Sequence, residues 1–215
     1  MVQLQPETGS PEEPSITRGD FDQGGLSELA ITKSYRATLL LQQGGAFAFE
    51  VGAVTGLFGG PGLRVDIESG ELIGDGREDI AAIRQRAPPS GWQPAKLILI
   101  PVAGGQYFPK TIQPLDVGER ARLSLGDVDG DGDLDGICCG GGDGGSIGNT
   151  ASSVFELCPN DGSGRFDQSM AYAGLGGHQV AGTIDIDGDG DQDVLGGRSV
   201  LINHLLSGDS QFNGP

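Results

Sequence analysis

The chain has 215 residues, with 40 glycines, 12 prolines, 6% aromatic residues and a formal net charge of −17. This length allows one substantial core or several small repeats, and the glycine content favours short strands joined by tight turns over helices. Because 13 Lys and Arg stand against 30 Asp and Glu, we expect no nucleic-acid or anionic-membrane partner, and no apolar run is long enough to span a membrane.

The N-terminal segment, residues 1–15, is rich in proline and glutamate. It has neither a basic start nor an apolar stretch, so we do not expect it to be a signal peptide. We interpret it as an extension that precedes the repeats.

An acidic nine-residue loop occurs four times, at 20–28 (loop I), 71–79 (loop II), 127–135 (loop III) and 185–193 (loop IV). Loops III and IV are complete and read Asp-x-Asp-Gly-Asp-Gly-x-x-Asp, whereas loops I and II are decayed copies. The starts lie 51, 56 and 58 residues apart, and more than half of the acidic residues of the chain fall in these loops. Such regular spacing indicates a repeat architecture.

The sequence around the loops repeats as well. Each loop is followed by an apolar run (29–31, 80–83, 136–139, 194–195), a second apolar run (38–41, 97–100, 154–157, 200–202) and a turn ending in phenylalanine (Phe47, Phe108, Phe166, Phe212). These runs are rich in Val, Ile and Leu and are bounded by turn residues, which is typical of strands. We predict an all-β protein of four-stranded repeats at about 16–66, 67–121, 122–180 and 181–215. Such units indicate β-propeller blades, with a β-solenoid as the alternative.

The loops predict bound cations. Neighbouring like charges about 4 Å apart repel by roughly 4 kcal/mol at an effective dielectric constant near 20, so five alternating carboxylates favour an ion between them. Ligand sets made only of oxygen favour Ca²⁺ over Mg²⁺ and Zn²⁺. An acidic turn without an ion is the alternative. An EF-hand is excluded because its twelfth position needs Glu, and Cys138 and Gly196 stand there.

Loops III and IV, together with the turn Asn-Asp-Gly-Ser-Gly-Arg-Phe at 160–166, resemble the FG-GAP/VCBS repeat family. Integrin α-subunit heads and several secreted lectins and microbial surface proteins share these repeats. The resemblance covers roughly residues 16–213 and implies a calcium-binding β-propeller or propeller segment of about four blades. Family propellers usually have about seven blades, so a fragment, a small closed propeller and half of a dimeric ring all remain open.

We expect the side chains at loop positions one, three, five and nine and the carbonyl at position seven to bind Ca²⁺. In the complete loops these residues are Asp127, Asp129, Asp131, Asp133 and Asp135, and Asp185, Asp187, Asp189, Asp191 and Asp193. In loop I, three acids remain, Asp20, Asp22 and Glu28, and water would fill the gap. In loop II, Glu71, Asp75 and Asp79 are expected to bind weakly or not at all, because Ile73 replaces the third ligand and Arg77 adds a cation. Plain structural turns are the alternative for both decayed loops.

Three further features concern a tripeptide, the cysteines and the histidines. The tripeptide Arg18-Gly19-Asp20 matches a sequence that some integrins recognise, but Asp20 opens loop I, so we expect its carboxylate to be engaged there. Cys138, Cys139 and Cys158 allow either a bridge to Cys158 or buried thiols. His178 and His204 stand in no recognisable nucleophile motif, so we expect no enzyme, with a hydrolase carboxylate pair outside the loops as the alternative.

The expected function is non-enzymatic binding or adhesion toward a protein or carbohydrate, in a lectin-like manner, at a cell surface or in the extracellular space. The candidate contact surface is a pair of long hairpins, 84–94 with Arg84, Gln85, Arg86 and Trp92, and 140–152. Ordinary solvated loops are the alternative there. Two other functions remain, a structural subunit completed by another chain or a homo-oligomer, and an accessory domain of a hydrolase.

Overall fold

The computed structural model describes residues 14–33, 36–42, 49–55, 63–86, 95–103, 106–107, 110–115, 117, 121–140, 154–166, 169–173, 180–196 and 199–204. Several residues named above lie outside these ranges, namely Trp92, His178, Phe47, Phe108 and Phe212, together with 87–94 and 141–153. Among the described residues, no helix is long and apolar enough to cross a membrane.

The described strands form four antiparallel sheets in chain order, which confirms the all-β prediction. Sheet I contains β1 (Ser15–Gly19), β2 (Glu28–Lys33), β3 (Arg36–Gln42) and β4 (Phe49–Thr55). Sheet II contains β5 (Leu63–Gly70), β6 (Asp79–Arg86), β7 (Ala95–Ile100) and, after the small hairpin of β8 (Val102–Ala103) and β9 (Gln106–Tyr107), β10 (Lys110–Leu115). Sheet III contains β11 (Arg122–Gly126), β12 (Asp135–Gly140), β13 (Val154–Cys158) and β14 (Met170–Ala173). Sheet IV contains β15 (Val180–Ile184), β16 (Asp193–Gly196) and β17 (Ser199–Leu201).

Each acidic loop connects the first and second strands of its sheet. The apolar runs predicted from the sequence form these second strands and the third strands. The limits of the repeats differ slightly, since β5 begins at Leu63, ahead of the limit at residue 67 set from the sequence.

The sheets pack face to face, each against its neighbours in the sequence, because alternate residues of a strand point to opposite faces. In β6, Ile80 and Ala82 pack toward sheet I, whereas Ala81 and Ile83 pack toward sheet III. We call the face toward the preceding sheet the rear face and the face toward the following sheet the forward face. Three apolar clusters result, between sheets I and II, II and III, and III and IV. Sheets I and IV share no such cluster among the described residues.

The first strands lie side by side, so β5 contacts β1 and β11, and β11 contacts β15. Asp66 in β5 joins three sheets here. Its carboxylate accepts a hydrogen bond from the hydroxyl of Ser15 at 2.7 Å and one from the backbone N–H of Leu123 at 3.0 Å. The guanidinium of Arg122 lies 3.5 Å from the same carboxylate. A charged hydrogen-bond network therefore fixes the relative positions of these strands.

The three cysteines are buried thiols and form no disulfide. Cys138 and Cys158 belong to the cluster between sheets II and III, whereas Cys139 faces sheet IV. A hydrogen bond with Cys158 and burial raise the pKa of the Cys138 thiol well above its usual value. Of the two alternatives left by the sequence, the structure has the thiols, which act as small apolar side chains.

Glu68, on β5, gives a pH-dependent prediction. Burial, assisted by the nearby Asp66 carboxylate, raises the pKa of Glu68 to about 7. Because this value lies above that of the unfolded chain, the folded protein holds the proton more tightly, and stability falls as pH rises from about 4.5 to about 7. We therefore expect Glu68→Gln to raise the melting temperature by a few degrees at about pH 8 but hardly at about pH 4.5, both in chelator. An equal shift at the two pH values would contradict this assignment.

Candidate metal sites

The loops share a backbone with left-handed residues at the fourth and sixth positions. Glycine takes these positions in loops II to IV, and loop I has Gln23 and Gly25. The φ angles are 61° and 74° in loop I, 73° and 77° in loop II, 77° and 97° in loop III, and 81° and 98° in loop IV. Glycine adopts this region without a steric penalty. Gln23 shows that loop I keeps the same turn even where glycine is absent.

The acid at position one closes each loop from within. The two carboxylate oxygens of Asp127 accept hydrogen bonds from the N–H groups of Gly130 at 2.8 Å and Gly132 at 3.1 Å. Asp185 and Glu71 accept the equivalent pair of hydrogen bonds in their own loops. Asp20 accepts one hydrogen bond, from the N–H of Gly25 at 2.9 Å. The Asp20 carboxylate is thus engaged in its loop, as expected for the Arg18-Gly19-Asp20 tripeptide.

The acid at position nine is fully buried in every loop, and in loops II to IV it also accepts a hydrogen bond from the residue two positions beyond the third strand. Asp135 accepts hydrogen bonds from the N–H of Val128, within loop III, and from the N–H of Asn160, beyond β13, each at 2.9 Å. The equivalent acids are Glu28, Asp79 and Asp193, and each accepts from the N–H at position two of its own loop. The ninth acid therefore fixes the fold of the loop and also supplies a carboxylate to its interior.

Three of the four loops bring the acids at positions one, three and nine together. The groups are Asp127, Asp129 and Asp135, then Asp185, Asp187 and Asp193, and then Asp20, Asp22 and Glu28. Within each group, one carboxylate oxygen per residue lies within 4.8 Å of the others. Such a group can hold a metal ion, because a cation would offset the repulsion between the carboxylates.

The acids at positions five and seven lie outside these groups of three. Asp131 accepts a hydrogen bond from the N–H of Asp133 at 3.0 Å, and Asp189 accepts one from Asp191 at 3.2 Å. In loop IV, the Asp189 carboxylate lies 4.0 Å from Nδ1 of His204. Asp187, Asp189 and His204 form a second possible set of ligands in that loop. Ligation by Asp131, Asp189 and the carbonyls of Asp133 and Asp191 stays a prediction.

Loop II does not assemble such a group from Glu71, Asp75 and Asp79. Both carboxylate oxygens of Glu71 accept backbone hydrogen bonds, from Gly74 at 2.7 Å and Gly76 at 2.8 Å. Burial acts to raise the pKa of Glu71, but these bonds outweigh it and lower the pKa. Ile73, at the third position, packs against the cluster between sheets II and III. Loop II is therefore held by hydrogen bonds and apolar packing.

Protons compete with a cation for loop III. Burial raises the pKa of Asp135 to about 6, although the hydrogen bonds from Asn160 and Val128 lower it in part. Burial also raises the pKa of Asp129. A cation must displace these protons as the pH falls toward 6, so binding to this group weakens with acidity.

Two asparagines join neighbouring sheets, a role that was not predicted from the sequence. The side-chain amide of Asn160 donates hydrogen bonds to the carbonyl of Leu72, in loop II, at 3.0 Å and to the carbonyl of Leu134, in loop III, at 3.2 Å. Asn203 donates likewise to Val128 at 2.6 Å and Gln192 at 3.1 Å. Both residues stand two positions beyond the third strand of their sheet, and this shared position is the signal that could have identified them.

Val102 holds the same position in sheet II. Its N–H donates to Asp79 at 3.0 Å, as the N–H of Asn160 donates to Asp135. The side chain of Val102 packs in the cluster that contains Phe21, at position two of loop I. An apolar contact therefore replaces the amide link at this junction.

The prediction that Arg84, Gln85 and Arg86 contribute to a contact surface is wrong for Gln85. This side chain is buried, and its oxygen accepts a hydrogen bond from the N–H of Ala121 at 3.2 Å. The reason is that β6 continues to Arg86 and pairs with β5 over its whole length, which places Gln85 inside the sheet packing. Trp92 and most of the hairpin 140–152 lie outside the described residues.

No family model matches the chain, and no curated protein matches it. Among solved structures, the fold is similar to that of an Agrocybe aegerita lectin described for its specific recognition of non-reducing terminal N-acetylglucosamine. The similarity covers 95% of this chain with 15% sequence identity and a TM-score of 0.41. The chain spans 65% of the length of that lectin.

Proposed function

We propose that this chain is a calcium-stabilised scaffold of FG-GAP/VCBS type, with its four sheets acting as propeller blades. The observation that carries the proposal is that loops I, III and IV each gather the acids at positions one, three and nine within 4.8 Å. All three groups present only oxygen ligands, which favours a hard cation such as Ca²⁺.

Calcium in this proposal stabilises the junctions between sheets. Val128, at position two of loop III, packs in the apolar cluster between sheets III and IV. Its carbonyl accepts a hydrogen bond from the side-chain amide of Asn203. An ion bound to Asp127 and Asp129, on either side of Val128, would fix the backbone that makes this contact. The acids would thus serve the packing of the sheets rather than proton transfer.

The scaffold would hold loops rigidly for a non-enzymatic role in adhesion or lectin-like binding of a protein or carbohydrate. We place this role at a cell surface or in the extracellular space, where calcium is abundant enough to fill sites of modest affinity. A glycan array probed with and without millimolar calcium tests the carbohydrate form of the proposal. Calcium-dependent binding to a defined set of glycans would support it, and binding unaffected by chelation would count against the calcium scaffold.

Chelation tests the metal sites directly. We expect millimolar calcium to raise the melting temperature above that in EDTA, because a ligand at about 100 times its Kd stabilises the folded state by about 2.7 kcal/mol per site. Asp127→Asn should reduce this calcium-dependent shift by removing an acid from the loop III group.

The matched control is Asp75→Asn in loop II, which lies outside the three groups. It should leave the calcium-dependent shift unchanged. A melting temperature that is the same in calcium and EDTA, or equal losses in the two variants, would overturn the calcium proposal.

A further inference from the structure

His204 reaches loop IV from the segment that follows β17. It comes directly after Asn203, whose backbone N–H donates a hydrogen bond to Asp193 at 2.7 Å. The side-chain amide of Asn203 donates to the carbonyls of Val128 and Gln192. Because these hydrogen bonds are buried or partly buried and hold Asn203 in place, the backbone brings His204 to a defined position beside the loop.

The imidazole of His204 and two acids of loop IV form a mixed set of ligands. Nδ1 of His204 lies 4.0 Å from Oδ2 of Asp189. The other carboxylate oxygen of Asp189 accepts a hydrogen bond from the N–H of Asp191 at 3.2 Å, and Asp187 accepts one from the N–H of Asp189 at 3.3 Å. Asp187, Asp189 and His204 each offer one ligand atom, and these atoms lie within 4.8 Å of one another. The two acids are exposed and His204 is half-buried, so water can complete the coordination of an ion held there.

The nitrogen atom sets this group apart from the calcium groups. Among the groups that the described residues form, it is the one with a ligand other than oxygen. Ca²⁺ and Mg²⁺ take oxygen ligands, whereas imidazole suits transition ions such as Zn²⁺. Zinc often has three protein ligands and a water, at about 2.1 Å in a tetrahedral arrangement, which places two ligands about 3.4 Å apart. The imidazole and the Asp189 carboxylate would therefore need to approach each other by only about 0.6 Å.

The equivalent position in other sheets does not supply such a ligand. In sheet III this position is Asp161, directly after Asn160, and its carboxylate accepts hydrogen bonds from the N–H and the hydroxyl of Ser163 at 3.0 Å and 2.6 Å. Asp161 joins none of the groups that the described residues form. In sheet II the position is Ala103, which has no ligand atom. The mixed set is therefore specific to loop IV and does not follow from the repeat itself.

We propose that Asp187, Asp189 and His204 bind a divalent transition-metal ion, with Zn²⁺ as the probe. The site goes beyond the calcium scaffold, because it uses a nitrogen ligand and needs no bound calcium. It shares Asp187 with the calcium group of loop IV but not Asp185 or Asp193. The two proposals can therefore fail separately.

Isothermal titration with zinc chloride in calcium-free buffer tests the site. We expect the wild type to bind Zn²⁺ and both His204→Gln and Asp189→Asn to weaken this binding. Loss of an outer hydrogen-bond partner of a zinc ligand typically costs about 10- to 100-fold in affinity, so loss of the ligand itself should raise the Kd by at least about 100-fold.

Two matched variants serve as controls. His178→Gln removes the other histidine of the sequence and should leave the Kd for zinc unchanged. Asp127→Asn, in loop III, should reduce the calcium-dependent shift in melting temperature without changing the Kd for zinc. Conversely, His204→Gln should leave the calcium-dependent shift unchanged. Calcium and zinc effects that are lost together in either variant would contradict two separate sites.

Spectroscopy identifies the ligands. In the His178→Gln chain only the imidazole of His204 contributes histidine signals, and we expect Zn²⁺ to shift its Nδ1 resonance in nitrogen NMR while Nε2 keeps its proton. Co²⁺ in place of Zn²⁺ should give no thiolate charge-transfer band, because the three cysteines are buried and lie outside the set. Such a band would assign the metal to cysteine and overturn the proposal.

A wild-type chain that binds no zinc would also overturn it and would leave His204 and Asp189 as a simple ion pair. Zinc binding with the same Kd in the wild type and in His204→Gln would contradict it as well. Circular dichroism confirms that each variant is folded. If His204→Gln does not fold, Asp189→Asn and the Nδ1 resonance of His204 still decide the outcome.

Discussion

Replacing Asp135 with alanine is expected to lower the free energy of unfolding by about 2 to 5 kcal/mol. The carboxylate is fully buried and accepts hydrogen bonds from the N–H groups of Val128 and Asn160. Alanine would leave both donors buried without an acceptor, and each such loss costs about 1 to 3 kcal/mol. Urea unfolding in EDTA measures this effect apart from any loss of a bound ion.

Asp133 provides the control in the same loop. It carries the same charge but is half-exposed, so Asp133→Ala should cost far less and should relieve repulsion from its acidic neighbours. Asp135→Asn should be intermediate, since the amide keeps one acceptor oxygen. Similar losses for Asp133→Ala and Asp135→Ala would show that charge, and not the buried hydrogen bonds, governs the stability of loop III.

Replacing Asn160 with leucine is expected to lower the free energy of unfolding by about 2 to 4 kcal/mol. The side chains are similar in size, but leucine cannot donate to the carbonyls of Leu72 and Leu134. Because Leu72 lies in loop II of the preceding sheet, the variant should also weaken the junction between sheets II and III. Urea unfolding measures the first effect.

Hydrogen exchange measures the weakening of the junction between sheets II and III. We expect faster exchange at the amides of Gly74 and Gly76 in the Asn160→Leu variant, although these residues are distant in the sequence. Asp161→Ala, in the exposed turn next to Asn160, is the control and should leave loop II protected. Unchanged exchange in loop II would mean that Asn160 stabilises only its own sheet.

Most of the strand order was predictable from the sequence, because the acidic loops mark the same point in every repeat. The apolar runs on either side then have a fixed place in the sheet, and β2, β6, β12 and β16 fall where the runs predicted them. The grouping of positions one, three and nine in loops I, III and IV was predictable for the same reason, since identical backbone turns orient equivalent side chains alike.

The contacts between neighbouring sheets could not be predicted from the sequence. The role of Asn160 depends on the carbonyl of Leu72, which is 88 residues away in the chain. Gln85 looked like a surface residue because it stands between two arginines, but strand pairing and the neighbouring sheet bury it. The cysteines were ambiguous until the structure showed β12 buried on both faces. Each of these outcomes depends on which sheet lies next to which, and local pattern does not specify that.

The packing of each sheet on its neighbours in the sequence has a consequence for biosynthesis. Every described strand pairs within its own stretch of chain, and every apolar cluster joins consecutive sheets. A nascent chain can therefore complete sheet I and cover its forward face as soon as sheet II emerges from the ribosome, without waiting for the C-terminus.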